Sequence, residues 1–245
     1  AESRDLKIIV QQVFYKKWWF IILCSLAITA LVFGIERYRS QQKLKVEKLR
    51  TKISSDLHDE VSGLLSGIAM QTDILQMTTA DEKSKKRLQK MGVVSRSAMS
   101  RMSDVIWSID SRKDHFEDLL HRMHGHAEEL LTPLQIPYNF QLENLNRQKK
   151  LPVELRQNLY FIFKECINNI AKHSNAERVN IIIKNTDKQF IMAIHDDGTT
   201  NQLDKEKPKP GQGLSNLKMR AERINAELEI DNTNGFLVEL RRKQI

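Results

Sequence analysis

The chain has 245 residues, 40% of them hydrophobic and 29% charged, with a formal net charge of +8. This suits one or two domains plus a helical segment. The two cysteines, Cys24 and Cys166, are too few and too badly placed for a disulfide framework, and no His/Cys cluster has zinc-ligand spacing. The basic excess would suit nucleic acid, but seven Lys/Arg residues lie between Arg37 and Lys52, beside an apolar run. That placement points to a membrane and to no direct nucleic-acid partner.

Residues 1–17 are short and mixed. Leu6–Val10 and Gln12–Tyr15 read as strand remnants, the end of an extracytoplasmic sensor region that begins before Ala1. No signal-peptide cleavage pattern is found. Trp18 to Ile35 is apolar apart from Ser25 and Thr29 and carries no charge. As a helix it rises about 27 Å, close to the hydrocarbon thickness. Lys16 and Lys17 precede it, Trp18 and Trp19 sit at belt position, and Arg37, Tyr38 and Arg39 follow. A buried core helix would show a polar face or partners for one; a membrane span needs neither. The heavier positive charge after the run predicts a cytoplasmic C-terminal side, and so an inner-membrane location.

Residues 36–53 continue as a coiled-coil linker into an amphipathic helix. Val46, Leu49, Ile53, Leu57, Val61, Leu64 and Ile68 form a seam. Its extra four-residue step at Leu57 is a stutter, which locally unwinds a supercoil. His58 lies beside that stutter, followed by Asp59 and Glu60. A neutral imidazole is a good nucleophile when one ring nitrogen is free and the other N–H is held by an acceptor. Asp59 is a candidate for that acceptor, although neighbours on a helix do not face each other. A His-Asp pair alone is more often a solvated polar surface. Residues 77–81 read as a connection, and a second helix spans 82–109. Leu88, Met91, Ser95, Ala98, Met102, Val105 and Ile109 keep 3-4 spacing, a core stripe and not a cofactor box. Such a hairpin cannot bury its apolar faces alone. Two copies make a four-helix bundle, which predicts a homodimer.

Ser111–Asp114 reads as a linker, and Phe116–Leu131 as a helix whose histidines (His121, His124, His126, with His115 just before) suit a solvated face. From Tyr138 the pattern alternates strands and helices: strands at 138–142, 179–183, 190–194, 228–230 and 236–240, helices from Pro152 and over 214–226. Asn232–Gly235 is a turn sequence between the last two strands. This predicts an α+β two-layer sandwich. Three features there fit a nucleotide. Glu165, Asn169 and Lys172 or His173 share a helix face, where an amide, a carboxylate and a cation suit hydrated Mg²⁺ and phosphates. Asp196-Asp197-Gly198 ends a strand, where a carboxylate can accept from an exocyclic amine. Gly211-Gln212-Gly213-Leu214 opens a helix, whose N–H groups suit phosphate.

With these motifs in this order, residues 40–245 resemble the sensor histidine kinases of two-component systems, specifically the His-Asp subgroup related to nitrate-sensor and desaturase-sensor kinases. The resemblance implies a Bergerat-type ATPase fold for residues 113–245 and a dimerisation and phosphotransfer domain over 54–112. It implies an ATP-dependent protein-histidine kinase that phosphorylates His58 with Asp59 as its aid, then passes the group to an Asp of a response regulator with a receiver domain. Glu165, Asn169, Lys172 and His173 resemble the N box, Asp196 and Gly198 the G1 box, and Gly211, Gly213 and Leu214 the G2 box. By that likeness Asp196 contacts adenine, Asn169 ligates Mg²⁺, Glu165 positions water or metal, and Lys172 and His173 meet the phosphates. Thr199–Pro210 would be the ATP lid. Two positions depart from the pattern. Thr200 replaces a glycine, which implies a stiffer lid, and Gly63 stands where relatives carry a water-aligning amide, which implies weak phosphatase activity. No receiver-like segment is found, so the acceptor is expected on another chain. Two rival readings stay open: an ATP-binding scaffold that does not transfer, and an ATPase of the same fold acting as a chaperone or on DNA.

Overall fold

The computed structural model describes residue 15 and residues 17–198, 212–233 and 235–243. The expected strand remnants before Tyr15, the lid at 199–210 with Thr200, Gly211, and the side chain of His173 lie outside the described residues, as does Asn234 of the expected turn. The described residues fall into two compact units that divide between Lys52 and Ile53.

Helix α1 runs Trp18–Thr78 without a break. In the first unit it carries an 18-residue window of mean hydropathy 2.3, none of it buried. Leu23, Leu26, Ile28, Leu31 and Phe33 all stand exposed. A helix apolar all round and uncovered by protein is the pattern of a segment solvated by lipid.

In the second unit, α1 turns at residues 79–81 into α2 (Glu82–Ile109), whose N-cap Asp81 accepts from the Lys83 and Ser84 N–H groups. The two helices touch through small and hydroxylic side chains. Ser54 Oγ donates to the Ile106 carbonyl (3.2 Å) and Ser95 Oγ to the Leu65 carbonyl (2.7 Å). Ala69, Thr72 and Gly92 are buried between them, and Arg96 pairs with Asp73 at 3.1 Å. These contacts leave several of the larger apolar residues of both stripes uncovered. Leu64, Ile68, Met91 and Val105 remain exposed. An apolar stripe marks what must be covered; it does not say by which neighbour.

A short 3₁₀ turn, Ser111–Lys113, leads into α3 (Phe116–Leu131). There follow β1 (Tyr138–Glu143), α4 (Val153–His173), β2 (Val179–Asn185), β3 (Gln189–Asp196), α5 (Gln212–Arg223), β4 (Ala226–Asp231) and β5 (Phe236–Lys243). The sheet order is β1-β2-β3-β5-β4, with β1 and β2 parallel and the other pairs antiparallel. One face of the sheet is covered by α3, α4 and α5. Alternation puts Val179, Ile181, Ile183, Phe190, Met192 and Ile194 on that face. Leu155, Leu159, Ile162, Phe163, Cys166, Ile167 and Ile170 of α4 meet them, all buried. Each contributes about 1.5–3 kcal/mol by leaving water. Burial also raises the Cys166 thiol, so it packs as an inert apolar group.

The predicted helix over 214–226 stops earlier. Asn225 takes a left-handed φ of 51° and ends α5, so Ala226 already belongs to β4. The histidine face of α3 is only partly solvated: His121 and His124 are exposed, but His126 is half-buried and burial lowers it to about 4.

Candidate active site

His58 sits on α1 one turn past Ser54, the serine that locks against α2. Its side chain is 68% exposed, so the ring is available to a second substrate. Its Nδ1 lies 3.4 Å from Asp59 Oδ1, so the adjacent pair does meet. A carboxylate can only accept, and this contact selects the Nδ1–H tautomer and leaves the Nε2 lone pair uncommitted to Asp59. The pair is solvated and weakly held, so it orients the ring more than it stabilises the fold. His58 and Asp59 line a cavity of about 320 Å³ whose other walls include Arg112 and Lys113 from the 3₁₀ turn and Arg122 from α3.

The sheet domain carries the other candidate residues. Pro152 flanks the start of α4, where its fixed φ suits a helix entry, and the far end of α4 presents Glu165, Asn169 and Lys172. Glu165 and Lys172 line a cavity of about 410 Å³ together with Arg101 and Asp104 of α2, Lys164, and Arg220 of α5. Gly213 abuts this corner: a methyl group there would fall 2.7 Å from Glu165 Oε1. The start of α5 is thus pressed onto the Glu165 carboxylate, and Leu214 packs against the core. Asn169 is part-buried one turn from Glu165 but is not on the wall of that cavity.

Asp196 and Gly198 form a second group at the end of β3. Asp196 is fully buried. Its Oδ1 accepts from the Gly198 N–H at 2.9 Å, while Oδ2 is buried with no hydrogen-bond partner. Burial raises its pKa, against the lowering pull of the Gly198 N–H and the Ser174 hydroxyl. An unpartnered buried acceptor is costly and rare. A methyl on Gly198 would sit 1.9 Å from the Ser174 carbonyl, and one on Gly235 (φ 83°) would sit 1.9 Å from the Asp196 carbonyl. Both glycines let three backbone segments close around this carboxylate. Asp197 plays a different part, since its Oδ1 accepts from the Glu177 and Arg178 N–H groups at 2.9 and 2.8 Å and ties the loop down.

Two residues that the sequence reading passed over join α2 and its linker to α3 and α4. Asp104 is buried on α2 and accepts from Arg122 (3.0 Å) and Tyr160 (2.9 Å), and it pairs with Lys164. Arg156, fully buried, donates to the carbonyls of Ser108 (2.6 Å), Asp110 (3.3 Å) and Lys113, pairs with Asp114 at 3.1 Å, and lies 5.1 Å over the Trp107 ring. A lone acid between Met102 and Val105 of an apolar stripe was the available signal for Asp104. Arg156, beside Leu155 on the buried face of α4, was the other.

Residues 50–114 match the family described as histidine kinase. The chain is 25% identical over 236 residues to the sensor histidine kinase DesK of Bacillus subtilis, covering 88% of this chain and 60% of that one. It is 24% identical over 208 residues to the sensor histidine kinase LiaS of the same organism, covering 82% and 56%. The chain therefore spans 60% or less of the length of these two relatives. Among solved structures, the histidine kinase domain of the blue-light activated kinase EL346 of Erythrobacter litoralis aligns with a TM-score of 0.46 at 15% identity, over 72% of this chain and 94% of that one. The helical hairpin thus matches the histidine kinase family over residues 50–114, and most of the chain is similar in sequence to sensor histidine kinases.

Proposed function

We propose that this chain is the signalling and catalytic portion of a membrane-anchored, dimeric sensor kinase. It transfers the γ-phosphoryl group of ATP to His58 and then to an aspartate of a separate receiver protein. The observation that carries this reading is the exposed His58 ring with its Nδ1 facing Asp59. The Nε2 lone pair forms the P–N bond as the bond from Pγ to the β,γ-bridging oxygen breaks, and ADP leaves with that electron pair. The Nδ1 proton stays between ring and carboxylate, where Asp59 stabilises the charge that grows on the imidazole. The rest of the catalysis is positioning and charge neutralisation.

The sheet domain has what an adenine nucleotide needs. The orphan Oδ2 of Asp196 is an acceptor waiting for an exocyclic N–H. The cavity of Glu165, Lys164, Lys172 and Arg220 supplies cations for phosphates, joined by His173, Gly198, Gly211, Gly213 and Leu214 as the remaining nucleotide contacts. Asn169 and Glu165 offer the hard oxygen donors Mg²⁺ prefers. When bound, that ion neutralises phosphate charge. The apolar groove of about 610 Å³ between α1 and α2, lined by Leu65, Ile68, Met91, Val94 and Ala98, supports pairing with a second copy into a four-helix bundle. The uncovered apolar helix, Trp18 to Ile35, supports a single span in the inner membrane with residues 36–245 cytoplasmic. Residues 1–17 would then end the sensor region, 36–53 would relay its twist to the stutter beside His58, 54–112 would dimerise, and 113–245 would bind ATP.

The test is incubation with γ-labelled ATP and Mg²⁺. Acid-labile, alkali-stable label on the protein, lost in His58→Gln, is the expected result. Hydrolysis with no label on the protein would instead favour an ATPase of the same fold, and binding without either would favour a scaffold.

A further inference from the structure

Phosphorylation would give His58 a group of nearly two negative charges, and the question is what receives it. The linker turn is built for that task more than for connection. Asp110, buried at the end of α2, caps the turn by accepting from Arg112 N (3.0 Å) and grips the same residue's Nε (3.0 Å) and Nη2 (2.8 Å). Arg112 is therefore fixed although its side chain is 64% exposed. The Nη1 edge is not engaged by Asp110. Buried Arg156 in turn holds the carbonyls of Asp110 and Lys113, so the whole turn is clamped in place. The cavity it forms with His58 brings together three cations, Arg112, Lys113 and Arg122, against two carboxylates, Asp59 and Asp110. One of those carboxylates is already paired with Arg112. At about 320 Å³ the space holds a phosphoryl group easily, since a water takes about 30 Å³.

We propose that the 3₁₀ turn after α2 forms a phosphohistidine pocket, in which Arg112 and Lys113 hold the phosphoryl group on His58 Nε2 until a receiver takes it. This rests on His58 being the phosphoryl acceptor. Arg112 presents a preset fork to a tetrahedral anion, the geometry that makes guanidinium–phosphate contacts strong. Asp59 remains on the Nδ1 side, where it balances the ring and not the phosphate. Arg112 and Lys113 are positioning residues. They lower the energy of the phosphorylated state more than that of the unmodified one.

An equilibrium measurement tests this. The full chain in detergent micelles is brought to equilibrium with Mg²⁺ and a fixed ratio of labelled ATP to ADP, and the ratio of phosphorylated to free His58 is read from acid-labile label, normalised to nucleotide-binding protein. In Arg112→Gln with Lys113→Gln this ratio should fall about five- to tenfold, and Arg112→Lys should recover most of it. A side chain that only shapes the linker would slow the approach and leave the ratio unchanged, and that result would overturn the pocket. A second readout needs no variant: the wild-type ratio should fall as salt rises, because the cations are solvent-accessible, and a salt-independent ratio would also overturn it. If the wild type takes no label while binding nucleotide, the acceptor reading itself has failed, and the pocket with it.

Discussion

The orphan oxygen of Asp196 makes the sharpest prediction, because it sets binding against stability. Asp196→Asn keeps Oδ1 for the Gly198 N–H and replaces Oδ2 with an amide NH₂. A nucleotide amine would then meet a donor where it had met a charged acceptor. Hydrogen bonds to charged groups contribute about 1.5–3 kcal/mol, so affinity should fall roughly 10- to 150-fold. The free protein should behave in the opposite sense. In the wild type a buried carboxylate carries an unsatisfied oxygen; in the variant the unsatisfied atom is neutral, and the difference should be worth about 1 kcal/mol. Thermal unfolding of the nucleotide-free chain at neutral pH should rise by about 2–4 °C.

The pH dependence carries the same sign. The folded-state pKa of Asp196 is raised by burial, so the folded protein holds this proton more tightly than the unfolded chain. Stability from this group is fully present below the ordinary carboxylate value and is lost as pH rises through the raised one. Asp196→Asn should remove that slope. Calorimetric titration with ATP, paired with unfolding scans from acid to neutral pH, reads both effects. Unchanged affinity would refute the assignment of Oδ2 to the nucleotide, and a fall in unfolding temperature would refute the claim that the apo carboxylate is strained by burial.

Replacing buried Arg156 by Met should cost about 3–5 kcal/mol, because it leaves Asp114 and the Ser108 carbonyl without this partner; denaturant unfolding measures it, and a loss below 1 kcal/mol would show that water replaces the guanidinium. Gly63→Gln should raise the rate at which the protein removes phosphate from a phosphorylated receiver, since nothing lies within 4 Å of a Cβ placed there and Gln is the better helix former by roughly 0.5–1 kcal/mol; a rate equal to the wild type's would deny that the missing amide limits the reaction. His126 is held near 4 by burial, next to Lys164. Its contribution to stability is therefore present above about pH 6.5 and is lost as pH falls toward 4, and His126→Gln should flatten unfolding curves across that window.

Much of this architecture is legible in the residues. The seven apolar positions of α4 are all buried, because a 3.6-residue period leaves a helix one way to face a sheet. The strands of the sheet follow their alternation to within a few residues. Where the reading slipped, a longer-range or single-residue effect won. Asn225 ended α5 by adopting a left-handed conformation that apolar spacing does not register. The small residues and hydroxyl–carbonyl bonds that close the hairpin within one chain leave no periodic trace of their own. Asp104, Arg156 and the Arg112 turn were passed over because each acts through partners some 40–60 positions away or through a local cap, and neither leaves a periodic trace.

Those overlooked charges explain how the chain reconciles two demands. His58 and Glu165 line separate cavities, yet the proposed phosphoryl transfer would need the γ-phosphate at the ring nitrogen. Whatever joins α2 to α4 must therefore be specific without being permanent. An apolar contact of the same size would hold more tightly, since buried ion pairs repay little of their desolvation, and opening it would expose oil to water. Asp104 with Arg122, Tyr160 and Lys164 is the other choice. Its cations are partly exposed already, Lys164 at 19% and Arg122 at 34%, so each can rehydrate as the helices part. A polar clasp of this kind sets one resting register and leaves the cost of departing from it low enough for a signal of a few kcal/mol to meet.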